Sequence, residues 1–114
     1  METPTESLLL RIFIGEAASH KHLPLYEAIV LKAREMHLAG ATVTRCTIGY
    51  GKSSLLHTAK ILRLSDDLPV IVEIVDSEEK INAFLPVLEP MMSAGLATVE
   101  NVRTIHYGGS PPAS

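Results

Sequence analysis

One pattern constrains this chain more than any other: it reads as strand–helix–strand twice over, with a long connection between the halves. Ser7 to Ile14 (SLLLRIFI) alternates, so that Leu8, Leu10, Ile12 and Ile14 share one face while Leu9, Arg11 and Phe13 share the other. Gly15 to Leu23 reads as a loop. Pro24 suits the first turn of a helix, because its missing N–H would be unpaired there in any case. Leu25, Ala28, Ile29, Ala33 and Met36 then recur at helical spacing, and Gly40 is the expected left-handed stop. Ala41 to Ile48 is rich in β-branched residues and reads as the second strand.

Gly49 to Asp67 has glycines only at its start and a patchy apolar pattern afterwards. A connection of that length within a compact domain is usually functional or mobile. Leu68 to Val75 (LPVIVEIV) is a nearly unbroken apolar strand. Asp76 is expected to cap the second helix, paired with Glu79 three positions on. Ile81, Phe84, Leu85, Leu88 and Met91 supply its buried stripe. Pro86 and Pro90 each remove a helical donor, at about 3 kcal/mol in a regular interior, so this helix should kink or end early. Gly95 closes it, and Ala97 to Tyr107 reads as the last strand.

The order β-α-β-β-α-β predicts an α+β fold, the ferredoxin-like plait. It has an antiparallel four-stranded sheet with two helices on one face and a long loop between strands 2 and 3. One domain over residues 7–107 is expected, with the polar, Pro-rich residues 108–114 as a disordered tail. The sheet face without helices is expected to carry Leu9, Phe13, Val43 and Ile71 among Arg11, Arg45 and Glu73. Such a half-apolar face predicts a symmetric oligomer.

With 114 residues the chain can bury roughly two-thirds of its unfolded surface, enough for one core. Its net charge is −3 and its ten basic residues are scattered, which argues against a nucleic-acid stripe or polybasic membrane patch. Aromatics make up 4%, too few to stack splayed bases. No apolar run approaches the roughly 20 residues that span a bilayer, and no basic-then-apolar leader precedes Ser7, so a cytoplasmic protein is expected. One cysteine, Cys46, excludes an intramolecular disulfide and a cysteine-based zinc site. It reads as a small buried or interface residue.

The chemistry-bearing residues gather at the start of the long loop. In Gly49-Tyr50-Gly51-Lys52-Ser53-Ser54, two glycines flanking one residue let the backbone approach a phosphate; Lys52 adds charge and the serines add hydroxyl donors. Neither the P-loop nor the dinucleotide fingerprint fits, since Cys46 and Ser54 stand where each needs a glycine. Of the five histidines, His20 and His22 flank Lys21 in a loop, His37 nears the end of the first helix and His106 ends the last strand. None has metal-ligand spacing, and no metal site or catalytic residue is assigned. His57, within the loop, is a candidate ligand contact. The carboxylate pairs Asp66-Asp67 and Glu78-Glu79 suit turn and capping roles. A Ser53, His57 and Asp66 triad lacks the nucleophile-elbow pattern.

Several runs are similar to a PII-like family known as the domain of unknown function one-ninety. They are PLYEAIV at Pro24 to Val30, LAGATVTR at Leu38 to Arg45 and GYGKSSLLHT at Gly49 to Thr58. LRLSDDLPVIVEIVDSEEKI at Leu62 to Ile81 and FLP at Phe84 to Pro86 complete the set. The resemblance covers about Leu8 to Tyr107. It implies a ferredoxin-like homotrimer of the PII signalling superfamily, in which small ligands, often adenine nucleotides, bind in clefts between subunits. It also implies a loop after the second strand that switches or engages a partner, and an association with fluoride exporters. Gly49-Tyr50-Gly51 is similar to the Gly-aromatic-Gly at the loop base of true PII proteins, which carries a phosphate contact onto Gly49 and Gly51. Where those proteins have a Gly- and Lys-rich phosphate loop, this chain has Met92-Ser93-Ala94-Gly95-Leu96, with one glycine and no lysine.

The expectation is a non-enzymatic sensor that binds a small anion, with an adenine nucleotide as the candidate ligand and no firm cofactor. Arg45, Lys52 and Arg63 would supply charge. Gly49, Gly51 and Ser53 would supply donors, and Tyr50 and His57 further contacts. The alternatives are a trimer that binds a protein partner through residues 49–67 without a small ligand, and a small enzyme using His57 or His106 as a general base.

Overall fold

The computed structural model describes residues 4–49 and 68–105. Its elements in chain order are β1 (Thr5–Gly15), β2 (Ser19–His20), β3 (Leu23–Pro24), α1 (Leu25–Glu35) and β4 (Thr42–Arg45). They continue with β5 (Pro69–Asp76), α2 (Glu78–Leu88), a 3-10 turn (Glu89–Met91) and β6 (Leu96–Thr104). The four long strands form one antiparallel sheet in the order β4-β5-β1-β6. This is the ferredoxin-like α+β plait that the element order predicts.

The helices pack on the face bearing Leu8, Leu10, Ile12 and Ile14 of β1 and Val70, Val72 and Ile74 of β5. Leu25, Ala28, Ile29 and Ala33 of α1 and Ile81, Phe84 and Leu88 of α2 complete the core. Each large side chain fully buried here contributes about 1.5–3 kcal/mol, so this layer carries most of the stability.

The second strand sits the other way up from the expectation. Val43 pairs with Val72 and Arg45 with Val70, and both partners are buried beneath the helices. Residues directly opposite in a ladder share a face, so Val43 and Arg45 lie on the helix-covered side. Thr42 and Thr44, opposite Glu73 and Ile71, take their places on the open side. Strong β propensity throughout Ala41 to Ile48 disguised which alternate set faces the core. The strand itself is shorter, ending at Arg45.

The open face therefore carries Leu9, Arg11 and Phe13, flanked by Ile71, Glu73 and Val75 on one side and Leu96, Thr98, Glu100 and Val102 on the other. Arg11 donates from Nε to Glu73 at 2.8 Å and from a terminal nitrogen to Glu100 at 3.3 Å, bridging three strands. β6 is an edge strand, exposed along its length except at half-buried Val102.

Helix ends differ in detail. α1 stops before Gly40, because His37 takes the left-handed conformation (φ 63°). His37 N–H donates to the Arg34 carbonyl and Leu38 N–H to the Ala33 carbonyl, each at 3.0 Å, which is a Schellman closure with histidine in the usual glycine place. Ser77, not Asp76, caps α2: its Oγ accepts from Lys80 N–H at 3.2 Å. Asp76 instead accepts from the N–H groups of Ala39 (2.8 Å) and Ser77 (2.7 Å), tying the exit of α1 to the end of β5. α2 ends early, as its prolines require: Pro86 lies inside the last turn, and Pro90 in the 3-10 turn that follows. Pro24 stands at the N-cap of α1, one place before the first turn.

The segment before α1 is more ordered than a plain loop. Ser19–His20 pairs with Leu23–Pro24 around a two-residue turn, Lys21 and His22, with φ of 49° and 72°. Two positive φ values identify the type I′ turn, normally Asn-Gly or another glycine-containing pair. Gly95 has φ 115°, and a Cβ there would lie 2.7 Å from the Phe13 carbonyl oxygen, so the chain enters β6 only through a glycine.

Candidate functional site

The strand directions bring the irregular segments to one end of the sheet. The ends of β1 and β4 and the starts of β5 and β6 meet there: Gly15 pairs with Pro69, Arg45 with Val70, and Phe13 with Leu96. The backbone is stitched at this end by Glu16 N–H to the Leu68 carbonyl (2.8 Å) and Cys46 N–H to the Pro69 carbonyl (3.0 Å). Residues 46–49 continue from the ladder, with Ile48 two-thirds exposed. A Cβ on Gly49 would come within 3.0 Å of the Pro69 ring, so glycine lets the chain leave β4 close over the start of β5.

Arg45 is the charged group at this place. Its guanidinium is exposed, with Nη2 donating to Glu16 Oε2 at 3.1 Å and, at a longer 3.5 Å, to the Tyr26 hydroxyl. The Tyr26 hydrogen bond and the Glu16 charge hold Arg45 above the usual arginine range, so it stays cationic throughout the physiological range. Tyr26 is in the first turn of α1, so strand, helix and the Glu16 turn together aim one cation at the sheet end. Exposure leaves three of its five donors open to water or an anion on geometric grounds.

Of the predicted site residues, the structure brings Arg45 and Gly49 to one corner. Tyr50, Gly51, Lys52, Ser53, His57 and Arg63 lie outside the described residues, as do Asp66, Asp67, His106 and the tail at 108–114. Sequence reasoning missed Glu16 and Tyr26. Tyr26 belongs to the PLYEAIV run, but only the register of β4, which turns Arg45 toward α1, shows its use. The turn at 92–96 lies at the same end of the sheet beside Phe13, on the far side of β1 from β4. Three strand spacings, roughly 14 Å, separate these outer strands. Among the described residues, no three His, Cys, Asp or Glu side chains converge as metal ligands, and no helix is long and apolar enough to cross a membrane.

The model of a family described as "Uncharacterized ACR, COG1993", DUF190, matches residues 7–104. The chain is a DUF190 protein. A UPF0166 protein of Aquifex aeolicus is 43% identical over 98 residues, covering 86% of this chain and 92% of that one. A UPF0166 protein of Methanocaldococcus jannaschii is 36% identical over 92 residues, 80% and 84% of the two chains. Among solved structures, CPII from Thiomonas intermedia K12, a nitrogen regulatory PII-like protein bound to ADP, AMP and bicarbonate, superposes with a TM-score of 0.66. Identity is 17%, over 90% of this chain and 91% of that one. A putative PII-like signaling protein of Thermus thermophilus gives 0.65 at 21% identity, over 91% and 94%. At those identities the likeness establishes that this DUF190 protein has the PII-like fold. None of these relatives is named as an enzyme.

Proposed function

We propose that this DUF190 protein is a cytoplasmic, non-enzymatic regulator that binds a small anion, an adenine nucleotide, in clefts between the subunits of a homotrimer. Residues 49–67 are the segment that reports occupancy to a partner, of which a membrane exporter of the fluoride type is the candidate that the family resemblance implies. The observation that carries the reading is the placement of Arg45 with Gly49 at the open end of a PII-like sheet. A fixed cation beside a glycine-lined backbone suits a phosphate.

The clefts between subunits are favoured by distance. The Arg45 corner and the 92–96 turn occupy opposite edges of the same sheet end, so a second copy is needed to bring the two kinds of segment together. The apolar open face around Leu9, Phe13 and Ile71 supplies the surface for that copy. A nucleotide acts as a signal only if it binds two states of the protein unequally. ADP and AMP in CPII support the ligand class.

Unfolding of the purified protein, followed with AMP, ADP, ATP and cyclic nucleotides, tests the reading. A ligand at about 100 times its dissociation constant stabilises the native state by about 2.7 kcal/mol. One nucleotide is expected to raise the midpoint, and Arg45→Ala to remove most of that rise. A flat response across the panel rejects the nucleotide and favours the trimer that engages its partner without a small ligand.

A further inference from the structure

A second surface lies on the helix side of the molecule. α1, the junction of α2 with its 3-10 turn, and the β2–β3 hairpin enclose a cleft of about 970 Å³ that stands open to solvent along one side. Its floor is apolar: Ala28 and Met91 are buried, Val87 is half-buried, and Leu31 is 47% exposed. Its rim carries Lys21, Lys32 and Arg34 against one carboxylate, Glu35, in a chain whose net charge is −3. Lys32 holds that carboxylate at 2.7 Å. Among the described residues, neither the Lys21 nor the Arg34 side chain has a hydrogen-bond or ion-pair partner.

The hairpin shows that the rim is maintained against a conformational cost. A type I′ turn is least strained with Asn-Gly, yet Lys21 and His22 occupy both left-handed positions. Strained backbone tends to persist where the side chains it displays are used. Here it places a cation over an apolar floor.

We infer that this cleft docks an acidic segment of a partner protein, one that lays a bulky apolar side chain against Leu31 and Val87 while its carboxylates meet Lys21 and Arg34. Charge complementarity selects the partner. The rim is cationic in a molecule whose net charge is negative, so it attracts an anionic segment. The cleft's lining has no Phe, Tyr or Trp ring for a base to stack on, and its concave floor is out of reach of a flat bilayer. The inference is independent of the nucleotide reading, which concerns the sheet end.

Selection of a random short-peptide phage library on the full-length protein tests it, with the Lys21→Glu/Arg34→Glu variant selected in parallel. Both residues are exposed, and an unchanged unfolding midpoint confirms that the variant folds. The expected winners place Asp or Glu on either side of Leu or Phe. They lose about tenfold or more in affinity for the variant, weaken with added salt, and shift the amide resonances of Leu31, Arg34 and Val87. Winners that are neutral or basic, or that bind the variant equally, overturn the proposal. So does sedimentation with anionic vesicles that the variant abolishes when no peptide is enriched, an outcome that would make the cleft a membrane contact. Nucleotide binding should be the same in both proteins, so a failure here leaves the proposed function standing.

Discussion

Arg45 Nη2 lies 3.1 Å from Glu16 Oε2, a pair formed where the exit of β4 meets the exit of β1. The carboxylate occupies one side of the guanidinium that the proposed anion would use, so ligand and Glu16 compete. Glu16→Gln should therefore tighten nucleotide binding several-fold by calorimetry, while Arg45→Ala weakens it. Because Arg45 is exposed, neither change should noticeably alter unfolding stability. Weaker binding on Glu16→Gln would mean that Glu16 positions Arg45 and does not restrain it.

The Glu73–Arg11–Glu100 bridge lies on the open sheet face, with Arg11 and Glu73 each about one-third exposed. If that face packs against other copies, removing the arginine strands two carboxylates away from water. Arg11→Ala is then expected to cost about 3–5 kcal/mol and to dissociate the assembly in sedimentation velocity. A cost below about 1 kcal/mol with an unchanged sedimentation coefficient would place the face in solvent.

Replacing Lys21 and His22 together by Asn and Gly supplies the pair that a type I′ turn favours. The unfolding free energy should rise by about 1–2 kcal/mol as two left-handed non-glycine residues are relieved. Chemical denaturation reads the change. No gain would show that the hairpin is held by α1 through the Leu25 N–H bond to the Ala18 carbonyl, and that its turn sequence matters little.

Gly95→Ala should be strongly destabilising. Its Cβ would meet the Phe13 carbonyl oxygen at 2.7 Å and Ile14 at 2.9 Å, at a φ that alanine resists. A loss of about 3 kcal/mol is expected in urea unfolding. Gly40→Ala is the control: a Cβ there meets nothing within 4 Å, and its effect should be small.

The plait was legible because strands and helices announce themselves by different periods. Leu8, Leu10, Ile12 and Ile14 alternate, whereas Ile81, Phe84, Leu85 and Leu88 recur by threes and fours, and both sets reach the core or its edge. Local chemistry that depends on neighbours in space was harder to read. Nothing in Ala41 to Ile48 says which face Val43 and Arg45 take, since that follows from pairing with the distant Val72 and Val70. Histidine in a glycine's place hid the end of α1, and a serine one residue along displaced the expected aspartate cap. At the site, residue types drew attention to Arg45 and Gly49, but Glu16 and Tyr26 became visible only once the sheet end was assembled.

β6 ends the sheet with an outer row of backbone donors and acceptors that, among the described residues, no other strand satisfies. Such a row is an adhesive template, and its spread is ordinarily checked by charge. Glu100 and Arg103 stand in the strand as that check. Changing both to threonine, however tempting to an engineer seeking better strand formers, would remove the safeguard and leave a polymerisation-prone protein.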